Sequence, residues 1–349
     1  MAPEQIGQVV FGHVINTEPR DMYLSRVAAM NADIPDTVPA MNVNRLCGSG
    51  AQAIVSAAQA LMLGDADFAV AGGAECMSRS PYILPAARWG QKMGDAAAHD
   101  MMTGALTCPF GTGHMGVTAE NVAAEHGISR EAQDAFALES QTRAARAITE
   151  GRFADQIAGI EIISRKGTRV FDTDEHPKAT SAEALAGLRA VFQKDGTVTA
   201  GNASGINDAA SALVLARADA AEKAGLTPRA RIVGYAVAGV RPEVMGIGPV
   251  PAVQALMART GLKAADFDVI ESNEAFAAQA LAVSKALGLD PARVNPNGGA
   301  IALGHPVGAT GAILTVKTLY ELERTGGKFG LITMCIGGGQ GIAIAIERL

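Results

Sequence analysis

Apolar residues fall in short dense runs separated by glycines and polar turns, and the spacing within those runs changes along the chain. IGQVVFGHVI (6–15) is β-branched with glycine breaks and predicts a buried strand. AQAIVSAAQALMLG (51–64) is built of small apolar residues and ends in Gly64, which predicts a helix closed by a C′ glycine. ADFAVAGGAE (66–75) predicts another short buried strand. Strand, helix and strand at these distances suggest a βαβ unit in a mostly parallel sheet, hence an α/β fold.

The texture changes from Ser78 to about Asn207. SRSPYILPAARWGQKMGDAAAHD is loop-like, SREAQDAFALESQTRAARAITEG predicts an amphipathic helix with Ser129 as its N-cap, and KGTRVFDTDEHPKATSAEAL is polar and turn-rich. This stretch is expected to be an insertion lying over the sheet. INDAASALVLARADAAEKAG (206–225) then predicts a return to small-residue helix, with strands at ARIVGYAVAG, FDVIESNE and FGLITMCIG.

The later elements echo the earlier ones. Val10 matches Ile270, Gly50 matches Gly311 and Phe68 matches Phe329, at offsets of 260, 261 and 261 residues. A near-constant offset suggests an internal duplication, although chance alignment of small residues would give a similar echo. The expected organisation is a first half from 1–76 plus 207–228, an inserted loop domain at 77–206, and a second half at 229–349.

Composition narrows the function. Of 349 residues, 48% are hydrophobic and 40 are glycine, a globular composition. The net charge of −6 argues against a non-specific binder of nucleic acid or anionic membrane. No run is expected to span a bilayer, and the N-terminus has no basic leader. The four cysteines show no CxxC spacing, so reduced thiols in the cytoplasm are expected.

Four loops carry candidate chemistry. In NRLCGSGAQA (44–53), Cys47 directly precedes a predicted helix, whose free amides would favour a thiolate or an adjacent oxyanion. A buried small hydrophobe is the plainer fate of a lone cysteine. GSGAQA also fits a dinucleotide fingerprint, but the segment before it is polar and no acidic residue ends the next strand at the required distance, since DFAVAGG finishes in glycines and Glu75 is too far on. SNEAFAAQA (272–280) puts Asn273 and Glu274 at a strand end, where Ser272 or Asn273 could instead cap a helix. In NPNGGAIALGHPVGATGA, His305 stands between Gly304 and Pro306 in a glycine-rich loop, placed to act as a base. MCIGGGQG (334–341) adds Cys335 and bare backbone amides.

NRLCGSG, NEAF, GHP and CIGGGQG, in this order, resemble the motifs of thiolases, the acetyl-CoA acetyltransferase family, and the likeness continues through HMGVTAENVA (114–123) and TVTAGNASGINDAA (197–210). The related ketosynthases share the first cysteine, but Cys335 in CIGGG favours a thiolase. The resemblance implies duplicated βαβαβαββ halves in a five-layer αβαβα fold, with the insertion covering a coenzyme A (CoA) site.

It also implies roles. Cys47, deprotonated by His305, takes an acyl group from one acyl-CoA, and Cys335 moves a proton at the α-carbon of a second acetyl-CoA. One oxyanion hole comprises His305 with a water held by Asn273, and the other the N–H groups of Cys47 and Gly337. His114, Met115, Met245 and Phe276 line the acyl and pantetheine site, and Ser204, with Ala200 and Gly205 beside it, binds the pantetheine. CoA thioesters are substrates, no metal or resident cofactor is implied, and the implied assembly is a homotetramer. The likeness is strongest to the short-chain bacterial β-ketothiolases that supply polyhydroxyalkanoate synthesis.

Two departures stand out. DEHPKATS offers Lys178 where many short-chain members place an arginine near the CoA nucleotide. Family members also carry a leading strand and helix ahead of the present start, expected at the centre of the first sheet, so the true start is expected upstream. The alternatives are a degradative 3-ketoacyl-CoA thiolase, an inactive thiolase-like remnant, and a nucleotide-dependent oxidoreductase.

Overall fold

The computed structural model describes all 349 residues. The first sheet contains β1 (Gln8–Gly12), β2 (Ala40–Val43), β3 (Phe68–Cys76) and β4 (Asp208–Ala216), in the order β4-β3-β1-β2. Here β1 runs parallel to β2 and β3, and β4 is antiparallel to β3. The second sheet contains β5 (Ala230–Gly239), β6 (Phe267–Ser272), β7 (Phe329–Ile336) and β8 (Gln340–Arg348), in the order β5-β8-β7-β6. Only β6 and β7 pair in parallel; β8 is antiparallel to both β7 and β5. The expected mostly parallel sheet therefore describes the first half alone.

Helices α2 (Ser49–Leu63) and α8 (Thr310–Thr325) pack against each other between the sheets. Ile54, Leu61 and Leu314 meet Val10 of one sheet and Ile332, Ile342 and Ile344 of the other. The outer face of the first sheet is covered by α1 (Leu24–Asn31) and α5 (Ala218–Lys223), through Ala29 and Ala220. The outer face of the second is covered by α6 (Pro249–Thr260) and α7 (Ala277–Leu287), through Leu256 and Val283. The result is the layer sequence αβαβα.

The small residues of the two central helices have a purpose at their crossing. A Cβ built on Gly311 would stand 2.1 Å from the Ala51 amide nitrogen, and one on Gly50 would stand 2.8 Å from that of Ala312. This mutual contact of matched glycines is the duplication expressed as packing. It brings the N-termini of α2 and α8, and the loops before them, together.

Three expectations are corrected. Residues 206–225 form β4 followed by α5 rather than one helix. The edge of β3 offers nine residues of pairing, and side chains along β4 alternate in exposure with period two, which overrides alanine's helix propensity. The leading strand of the second half, β5, lies at the sheet edge beside β8 rather than at the centre. The matching edge in the first half is that of β4, which is unpaired and borders a groove of about 2220 Å³. Finally, Leu46–Leu63 is long and apolar enough to cross a bilayer, with a mean hydropathy of 1.3. It runs between the two sheets, so core burial accounts for its composition.

The intervening segment carries α3 (Met115–His126), α4 (Arg130–Thr149) and a hairpin of Ile160–Ser164 with Gly167–Phe171, whose second strand falls inside the stretch read as turn-rich. Ser129 caps α4 as expected, accepting from the Ala132 N–H. Helices α3 and α4 both pack on α7, which follows the NEAF loop.

Candidate active site

Cys47 lies between β2 and α2, where the chain turns sharply. Leu46 adopts a left-handed conformation (φ 46°), and its N–H donates to the Asn44 side chain at 2.9 Å. The Ser49 hydroxyl donates to the Leu46 carbonyl at 2.6 Å and accepts from the Arg45 N–H at 2.9 Å. Gly48 lets this turn press on the end of β7, since a Cβ there would be 2.6 Å from Ile336 Cδ1. The Cys47 sulfur thus sits at the N-terminus of α2, where the nearby Gly337 N–H favours its thiolate form. Burial pushes its thiol up, a shift opposed by that N–H and by its own. The resting group is a thiol.

Cys335 is fully buried near the end of β7. Burial and the nearby Cys47 push it well above the ordinary thiol range, so it too rests protonated. It belongs to an apolar cluster with Cys108, Met115, Met245, Ala275 and Phe276.

His305 is 5% exposed, and burial depresses its imidazole to about 4, so it is neutral near pH 7. Its N–H donates to Asn207 Oδ1 at 3.1 Å, across Gly304, which has φ 98° and where a Cβ would strike the Asn207 side chain at 2.3 Å. Its Nδ1 lies 2.7 Å from Thr310 Oγ1, and its Nε2 lies 3.4 Å from Asn273 Nδ2. The loop is further held by Glu75 at the end of β3. One Glu75 oxygen accepts from the N–H groups of Gly308 (2.9 Å) and Val14 (3.1 Å), and the other from that of Ile15 (3.1 Å).

The NEAF loop divides its labour. The Asn273 N–H donates to the Thr333 carbonyl at 3.0 Å, and its Oδ1 has no protein partner. Glu274 is buried as an anchor, accepting from Ser140 Oγ (2.7 Å), Asn295 Nδ2 (2.8 Å) and the Ile301 N–H (3.2 Å). Helix α7 starts only at Ala277 with Phe276 as N-cap, so Ser272 and Asn273 cap nothing.

The expected lining residues meet in part. Met115 reaches Gly337, whose Cβ would lie 3.6 Å from its sulfur, and Met245 and Phe276 share the cluster around Cys335. His114 caps α3 by accepting from the Gly116 N–H at 3.1 Å and stacks on Phe192 at 4.7 Å. The Ser204 N–H donates to the Ala275 carbonyl at 3.0 Å, which ties its loop to NEAF. Ala200 is exposed, Gly205 packs on the His176 ring, and neither belongs to the Cys335 cluster. Lys178 is exposed, with its N–H donating to Gln141.

Sequence reasoning missed Asn207, Thr310, Glu75 and Phe192. Phe192 meets His114 only because Gly116 leaves room, a Cβ there being 2.1 Å from the ring. GHPVGAT did carry a local signal, since Thr310 opens the helix that follows His305.

Two thiols, a neutral imidazole and an asparagine thus gather where the two halves meet. The family model described as "Thiolase, N-terminal domain" matches residues 1–219, and "Thiolase, C-terminal domain" matches 226–348. The chain belongs to the thiolase family. It is 61% identical over 348 residues to the beta-ketothiolase BktB of Cupriavidus necator, covering 99% of this chain and 88% of that relative. It is 51% identical over 349 residues to the acetyl-CoA acetyltransferase of Escherichia coli, covering 99% and 88%. Among solved thiolase structures, the Bacillus anthracis acetyl-CoA acetyltransferase superposes with a TM-score of 0.97 at 48% identity, covering 100% of this chain and 89% of that one. Human mitochondrial 3-ketoacyl-CoA thiolase in complex with CoA gives a TM-score of 0.96 at 45% identity, covering 100% and 88%.

Proposed function

We propose that this thiolase is an acyl-CoA C-acyltransferase that condenses acetyl-CoA with a short acyl-CoA and runs the thiolytic reverse. The observation that carries this reading is the convergence of Cys47, Cys335, His305 and Asn273 on one site. In the first half-reaction the Cys47 proton passes to His305 Nε2 as sulfur attacks the thioester carbonyl. The carbon–sulfur bond to CoA then breaks, and the departing thiolate takes the proton from His305. His305 and a water on the free Asn273 Oδ1 stabilise one oxyanion, and the N–H groups of Cys47 and Gly337 the other. In the second half-reaction Cys335 first gives its proton to the neutral His305; its thiolate then takes the α-proton of acetyl-CoA, and the carbanion attacks the acyl group on Cys47. That bond to sulfur breaks and releases the 3-ketoacyl-CoA, and His305 returns the proton to the Cys47 sulfur as it leaves.

His114, Met115, Met245, Phe276 and Ser204 line the acyl and pantetheine path, with Ala200 and Gly205 flanking it. The steps call for no metal or resident cofactor, because CoA enters and leaves as substrate. The high identities to a beta-ketothiolase and an acetyl-CoA acetyltransferase favour the short-chain biosynthetic reading over the degradative one. Exposed Tyr82, Leu84, Trp89 and Met93 in one surface loop fit burial against further copies, as in a homotetramer, which light scattering tests. Thiol chemistry at Cys47 suits a reducing cytoplasm. The direct test is CoA-dependent cleavage of acetoacetyl-CoA by the folded chain: turnover that needs Cys47 supports the reading, and none at all rejects it.

A further inference from the structure

The mechanism needs one particular form of His305. To accept the Cys47 proton, Nε2 must carry a lone pair, so the ring hydrogen must sit on Nδ1. To hold the oxyanion a moment later, Nε2 must be the donor. The neutral Nδ1–H tautomer meets the first demand, and once its Nε2 has taken the Cys47 proton it meets the second, so something has to select that tautomer in the resting site.

Two contacts bear on that choice. The Thr310 hydroxyl is 2.7 Å from Nδ1 and also 2.9 Å from the Pro306 carbonyl, which can only accept. A hydroxyl has one proton; given to Pro306, it leaves the oxygen as an acceptor facing Nδ1. On the other side of the ring, Asn273 Nδ2 is 3.4 Å from Nε2 and is a donor, which pairs with a bare Nε2. Thr310 is 2% exposed, so no bulk solvent competes for its hydroxyl. It lies on the first turn of α8, whose position is fixed by the helix crossing at Gly311.

We propose that Thr310 is a positioning residue that sets the Nδ1–H tautomer of His305 through the relay His305 Nδ1–H to Thr310 Oγ1 to the Pro306 carbonyl. The inference rests on the acyl-transfer reading above. It extends that reading from the residues that touch substrate to one that does not. The same acceptor also holds the Nδ1 proton of the imidazolium formed when Cys47 is deprotonated, so Thr310 acts in the transient state as well as the resting one.

The test measures single-turnover acylation of Cys47 by acetyl-CoA, together with the ring nitrogens of His305. Thr310→Val keeps the shape and removes the hydroxyl; Thr310→Ser keeps the hydroxyl. We expect Thr310→Val to acylate roughly 10–100-fold more slowly, with unchanged CoA affinity, and Thr310→Ser to return within about threefold of the parent. Nitrogen-15 histidine spectra, with His305 assigned by its loss in His305→Asn, should show the wild-type proton on Nδ1 and its redistribution in Thr310→Val. Wild-type rates in folded Thr310→Val, or Thr310→Ser as slow as Thr310→Val, would overturn the proposal. So would a wild-type proton on Nε2, a result that needs no variant at position 310 to fold. A wild-type chain that never acylates would reject the acyl-transfer reading, while the spectra would still decide the tautomer.

Discussion

Replacing Gly311 by alanine probes the joint on which the site depends. The new methyl carbon would start 2.1 Å from the Ala51 amide nitrogen, against an ordinary contact beginning near 3.4 Å, so α2 and α8 must separate by about 1.3 Å. Overpacking of this kind costs about 3 kcal/mol at the upper end of its usual range. Alanine's better helix propensity returns about 1 kcal/mol, leaving a net loss of about 2 kcal/mol. The unfolding midpoint should fall by roughly 3 °C. Activity should fall further than stability does, because Cys47 precedes α2 and His305 precedes α8. A misplacement of about 1 Å can lower a rate on the order of a hundredfold. Thermal melts with thiolysis assays on the same preparations test this, with Gly104→Ala as control. Gly104 lies within the short helix Met101–Ala105 with open space around it, and alanine there should be neutral or slightly stabilising. A Gly311→Ala protein with the parent's midpoint and full activity would refute the account of the helix crossing.

The buried ion pair Lys317–Glu271, at 2.7 Å, predicts that Lys317→Met costs about 3–5 kcal/mol by leaving a carboxylate unpaired. Denaturant unfolding measures this, and adding Glu271→Leu should recover most of the loss. His305 also predicts a pH effect. Its imidazole is held near 4, below its unfolded value near 6.5, so the unfolded chain binds the proton first as pH falls. Stability from this group is therefore full above 6.5 and declines towards 4, by about 3 kcal/mol in total. His305→Asn should flatten that part of the stability profile, and parallel profiles would contradict it. Cys335→Ala should still acylate at Cys47 but lose condensation, which acyl-enzyme trapping alongside steady-state assays distinguishes.

The parts of this fold with strong period or punctuation were legible. The helix ending at Gly64 and the buried strands β1, β3, β6 and β7 appeared in the residue pattern, and the offset near 260 residues anticipated how α2 and α8 pair. Residues 208–216 were misread because DAASALVLA has the composition of a helix, and its strand state depends on partners 132 to 148 positions away. The edge position of β5 follows from its antiparallel pairing with β8, which local pattern does not encode. In the site, residues in glycine-rich loops announced themselves through their setting. Glu75 and Asn207 did not, because each works through a hydrogen bond to the His305 loop that exists only once the halves have closed on each other, whereas Thr310 lies five residues from His305 and its signal in GHPVGAT was local.

The most direct test of the account is mass analysis of the chain after brief exposure to acetyl-CoA alone, followed by peptide mapping. The account predicts one acetyl group per chain, on Cys47, absent in Cys47→Ala and released by added CoA. An acetyl group that forms equally well in Cys47→Ala, or that maps to Cys335 or another residue, would contradict it.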